Sequence, residues 1–114
     1  MKEIKIMPEY GCSPLWLYEG YNAAKSIEIK EVNISEGLKS KIQNWADIYE
    51  STFNEDYPPD SMFSNSDDEK SFEVEGLEIW KQLQKEIGNE YVIRYFSILN
   101  NKVYENISLY NKRK

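Results

Sequence analysis

The chain has 114 residues, a net charge of −6, a single cysteine at Cys12 and no histidine. That length suits one domain with one core, and 40% hydrophobic with 14% aromatic residues is too much apolar side chain for a self-solvating disordered polymer. One cysteine excludes an internal disulfide, and the missing histidine excludes Ser/His/Asp or Cys/His nucleophile systems and a Cys/His zinc site.

Lys2 to Ile6 alternates, with Ile4 and Ile6 on one face and Glu3 and Lys5 on the other, which predicts a half-buried strand. Pro8, Gly11 and Pro14 punctuate a tight connection, and Leu15 to Tyr18 offers a second strand, so a hairpin is the simplest reading. From Glu19 to Asn33 the periods are mixed; the segment reads as a loop with room for one short strand. Ser35 is placed to cap a helix whose apolar residues Leu38, Ile42, Trp45, Ala46, Tyr49 and Phe53 form one stripe. Pro58-Pro59 and Asp60 then hold an extended loop between Asn54 and Asn65.

Ser66-Asp67-Asp68-Glu69 matches a capping box at the start of a second helix. Its inward stripe is Phe72, Gly76, Ile79, Trp80, Leu83 and Ile87, and Gly88 stops it in the left-handed position. Tyr91 to Leu99 is rich in strand formers, Asn100-Asn101 makes a turn, and Lys102 to Ile107 returns. The expectation is a single α+β domain over residues 1–110: an antiparallel sheet of about four strands in ββααββ order, two helices on one face, and a basic tail, 111–114, that frays. Met1 to Met7 lacks the apolar run of a signal peptide, and no segment approaches the roughly 20 apolar residues of a membrane span. A cytoplasmic protein is expected.

No GxxxxGK[ST] and no GxGxxG occurs, so the usual phosphate cradles are missing. Cys12 is expected to be a small buried apolar residue. Asp56, Asp60, Asp67 and Asp68 offer oxygen donors to a hard cation, but their spacing fits no EF-hand, and Asp67, Asp68 and Glu69 have a sufficient role in a helix's first turn. The charge distribution says more. Between Glu50 and Ile79 ten acidic residues stand against Lys70 alone, a net −9, which leaves +3 for the rest of the chain. An anionic patch of that density speeds encounter with a basic macromolecule and disfavours nucleic acid and anionic membranes as partners. Tyr57, Met62 and Phe63 sit among these acids, and such residues are enriched at interfaces, although Phe63 also suits a lid folded back on the core. Trp16, Trp45 and Trp80 fall on apolar stripes and are assigned to the core.

Several stretches together carry a resemblance: Met7-Pro8-Glu9-Tyr10-Gly11-Cys12-Ser13-Pro14-Leu15-Trp16, Trp45 and Tyr49 followed by Asn54-Glu55-Asp56-Tyr57-Pro58-Pro59, Phe72 with Glu75-Gly76, and Tyr91 with Tyr95-Phe96. They resemble a family of small acidic bacterial proteins, some of which are similar to immunity proteins encoded beside polymorphic or contact-dependent toxins. Glu9 stands where the family pattern has Asp. The resemblance implies an inhibitor that covers a basic toxin, such as a nuclease, by occlusion and charge complementarity.

The resulting expectation is a non-enzymatic protein without metal or cofactor, whose partner is a cognate basic protein toxin. Its partner-binding residues are expected to be Glu55, Asp56, Tyr57, Asp60, Met62, Phe63, Asp67 and Asp68. The competing readings are a small carboxylate-based, metal-dependent enzyme and an acidic nucleic-acid mimic that inhibits a DNA-binding protein.

Overall fold

A computed structural model describes residues 2–19, 24–57, 63 and 65–112. Strands β1 (Lys2–Ile6), β2 (Leu15–Tyr18) and β3 (Lys25–Ser26) come first, followed by a single 3-10 turn at Ile29–Glu31 and helices α1 (Glu36–Glu50) and α2 (Ser66–Ile87). Strands β4 (Tyr91–Ser97) and β5 (Lys102–Tyr104) and a short helix α3 (Ile107–Asn111) complete the order. The five strands form one sheet in the order β3-β2-β1-β4-β5.

The α+β class and the strand–helix order match the expectation; the sheet is mixed where an antiparallel one was expected. Each hairpin is antiparallel, Ile6 facing Leu15 in the first and Tyr95 facing Tyr104 in the second, but β1 and β4 run parallel, with Ile4 beside Ile93. A parallel pair needs a long crossover, and α1 and α2 supply it. The added strand β3 pairs with β2, Leu17 facing Lys25. The returning strand stops at Tyr104, short of the expected Ile107, and helix α3 starts at Ile107, its first turn capped by the Asn106 side chain accepting from the Leu109 N–H.

Register puts Ile4, Ile6, Leu15, Ile93 and Tyr95 on one face, all buried, and the helices cover that face. The stripe of α2 is buried throughout, from Phe72 to Ile87, whereas only Leu38, Ile42 and Trp45 of the α1 stripe are. Helix α1 stops at Glu50, so Phe53 lies beyond it and is exposed, edge-on to Tyr10. Trp45 stacks on Phe72 at 4.4 Å and donates its indole N–H to the Phe72 carbonyl; Trp80 stacks on Tyr95 and donates to the Ile93 carbonyl. Trp16 departs from its core assignment: it is half-buried on the opposite, helix-free face beside Lys5, with its N–H on the Met7 carbonyl.

Gly76 sits where α2 meets both the sheet and α1. A Cβ there would stand 2.8 Å from Trp45 Cζ2 and closer still to the Tyr95 hydroxyl. Both neighbours are buried and stacked, so neither gives way. Gly76→Ala is therefore expected to destabilise the protein by about 1–3 kcal/mol despite its better helix propensity, read as a lower urea midpoint; an unchanged midpoint would contradict this packing.

Two helix ends differ from expectation. The α2 N-cap is Asn65, one residue earlier than Ser66: its side-chain oxygen accepts from the Asp68 N–H at 2.8 Å while its amide donates to the Asp68 carboxyl. At the other end Gly88 has φ −65, right-handed and not left-handed, and what requires glycine is the close approach of Gln84, which a Cβ would strike.

Ser35 caps α1 as expected, accepting from the Leu38 N–H. Its own N–H and hydroxyl donate to the Glu86 carboxyl on α2, at 2.7 and 2.8 Å. Hydrogen bonds from the Gln82 amide and then from Ser35 hold the Glu86 carboxyl below its usual range. Such a group adds stability above its unfolded pKa, near 4.5, and loses it as pH falls through the lower folded value. Glu86→Gln is expected to flatten the loss of urea resistance between pH 5 and pH 3 (about those bounds); an equally steep loss in the variant would remove Glu86 as a contributor.

Candidate functional site

Contacts between Trp45 and Phe72 and between Ser35 and Glu86 make α1 and α2 antiparallel, so the end of α1 lies beside the start of α2. A groove runs along their outer junction as two adjoining depressions of about 370 and 490 Å³ that share Ile48 and Glu75. The first is lined by Phe63, Phe72, Thr52, Ser71 and Asp68 as well, and the second reaches Trp45 and Lys41. Ile48 is 47% exposed although it is apolar, because it flanks the buried stripe of α1. On α2, Asp68, Ser71 and Glu75 follow one another at three and four residues and so share one face.

The residues expected to bind a partner are only partly gathered here. Phe63 packs on Phe72 with ring centroids 5.1 Å apart, half-buried as the lid reading requires, and with Asp68 it lines the groove. Asp67 is exposed in the first turn of α2. Glu55, Asp56 and Tyr57 are exposed just after α1, where the Asn54 side chain accepts from the Asp56 and Tyr57 N–H groups at 3.0 Å and turns the chain. They line neither depression, but chain length keeps them within roughly 18 Å of Thr52. Asp60 and Met62 lie outside the described residues.

Two acids of the −9 segment do other work. Glu73 is 2% exposed, and its carboxyl accepts the hydroxyls of Tyr95 at 3.0 Å, Tyr110 at 2.7 Å and Ser97. It joins α2 to β4 and α3, so it belongs to the core and not to the outward surface. Burial and then the adjacent Glu73 push the Tyr95 hydroxyl well above the ordinary tyrosine range. Glu50 receives the Gly11 N–H, which docks the β1–β2 loop on the end of α1.

That loop is built by the proline- and glycine-rich opening. Gly11 has φ +74, Pro8 and Pro14 are buried, and Tyr10 stacks on Tyr49 at 4.5 Å. Burial, followed by Tyr10 and Glu9, raises the Tyr49 hydroxyl to about 12. The unfolded chain then gives up protons from pH 10 that the fold retains, so stability is expected to fall between about pH 10 and 12. Tyr49→Phe should blunt that fall, measured by near-ultraviolet circular dichroism; an unaltered alkaline transition would refute it. Cys12, expected to be buried, is exposed on the same loop.

Among the described residues no three His, Cys, Asp or Glu side chains gather as a metal ion would need, and no helix is long and apolar enough to cross a membrane. The groove thus has an apolar floor with Asp68 and Glu75 along its rim, on a layer of two helices over a sheet. The chain belongs to the Serratia CdiI immunity protein-like family, whose model matches residues 2–98, and it is thereby placed among immunity proteins of contact-dependent inhibition. No curated protein sequence matches it.

Proposed function

We propose that this protein neutralises a cationic toxin domain in the cytoplasm by docking the acidic end of its α1–α2 layer over the toxin's working surface. The observation that supports this is the run of exposed acids at that end of the layer, Glu55 and Asp56 just after α1 and Asp67, Asp68 and Glu75 on α2, together with the exposed apolar Ile48 in the groove and Tyr57 after α1. A nuclease toxin needs positive charge to hold its phosphate backbone, and an acidic cover competes for that charge. Steering by the field gives rapid capture at low ionic strength, and the apolar side chains at the centre slow release. No bond is made or broken.

Co-production of this chain with its cognate toxin domain is expected to restore growth to cells that the toxin alone arrests. A chain that folds yet leaves growth arrested would overturn the proposal.

A further inference from the structure

The groove's own geometry carries the reading above one step further, to the shape and chemistry of the docking segment. Asp68 and Glu75 are seven residues apart on α2, so two helical turns, about 10 Å, separate them along the groove. Between them lie Phe72, Phe63 and Ile48, with the Ser71 hydroxyl on the rim. The order along the groove is acid, apolar floor, acid. One guanidinium cannot reach both carboxyl groups, and one aliphatic side chain satisfies neither. Beyond Glu75 the second depression carries Lys41, the one cation among the described residues that line either depression, which disfavours a basic side chain continuing past Glu75.

We propose that the α1–α2 groove receives a basic amphipathic helix of the partner, with two Arg or Lys side chains about two turns apart at Asp68 and Glu75 and an apolar side chain between them against Ile48 and Phe72. A helix suits the site because it presents residues i, i+3 or i+4, and i+7 on one face at the same 1.5 Å rise as α2, so charges and apolar floor stay in register along the pair. Packing there makes a third helix against two already antiparallel ones. Glu75, shared by both depressions and without an ion pair among the described residues, is the main specificity determinant.

The test uses the full chain and a synthetic helix held by a side-chain staple, carrying Arg at positions i and i+7 and Leu at i+3 and i+4. In an amide NMR titration at low salt, shifts are expected at Ile48, Ser71, Phe72 and Glu75. Affinity should fall at least about tenfold when both Arg are replaced by citrulline, which keeps the shape and removes the charge. Glu75→Gln, an exposed site whose substitution leaves the fold intact by amide dispersion, should weaken binding about three- to tenfold. Equal binding of the citrulline peptide, or of a peptide with the Arg residues at i and i+2, overturns the proposal, as does a shift map on the helix-free face or no shift at all. The outcomes separate: protection of growth without peptide binding removes the groove assignment alone, whereas failure to protect removes the toxin-neutralising reading whatever the peptide does.

Discussion

Replacing Glu73 by alanine is expected to lower the unfolding free energy by at least about 3 kcal/mol, because three buried hydroxyls lose one common acceptor and a buried donor without a partner costs about 1–3 kcal/mol. The donors come from Tyr95, Ser97 and Tyr110, on β4 and α3, so the variant loosens two elements at once. A domain of this size holds only about 5–15 kcal/mol in all, so the loss is a large share of the total. Glu73→Gln keeps one acceptor oxygen but turns an amide N–H₂ towards hydroxyl donors, and should cost less than alanine. Urea unfolding followed by Trp fluorescence reads both. An alanine variant within 1 kcal/mol (about the error of the method) of the parent would mean that the hydroxyls find other partners.

The other large effect concerns association. Changing Glu55, Asp56 and Asp67 together to lysine takes the net charge from −6 to 0 and reverses the field at the end of the helical layer. All three are exposed. At low ionic strength the association rate with the cognate toxin domain is expected to fall by about 10–100-fold, with much less change in dissociation. Salt should slow the parent protein and leave the variant nearly unaffected, since screening acts on the attraction that the variant lacks. Stopped-flow measurement of both proteins at several salt concentrations decides the matter, and equal rates at low salt would take this surface out of the encounter.

The candidate site was legible in its charge and not in its shape. Ten acids against one base is a property of the string, but Glu73 shows that a position in the string does not tell a surface carboxyl from a buried one. What distinguishes it is the trio of hydroxyls that arrives from β4 and α3, at least 22 residues away. Ile48 and Glu75 were missed for a related reason: each lies beside its helix's buried stripe, and only the antiparallel approach of α1 and α2 turns the two flanks into one groove. The i, i+3, i+7 spacing of Asp68, Ser71 and Glu75 beside Phe72 was the available signal. The α2 cap differs by one residue because Asn65 and Ser66 are both good caps, and the string does not rank them.

By itself the sequence determined the local terms: strand β1 from alternation, β2 from the run after the Pro8–Pro14 connection and β4 from its strand-forming residues, both long helices from their apolar stripes, the Ser35 cap, and the exclusion of histidine and disulfide chemistry. These depend on neighbours within a few residues, and a few residues suffice to specify them. Only the tertiary structure decided that β1 and β4 run parallel, that Trp16 faces away from the helices, and that the opening loop rests on α1. It also decided which acids face outward. Each of those outcomes depends on groups far apart in the chain meeting in space, and such meetings are set by the packing of the whole core and not by any one segment.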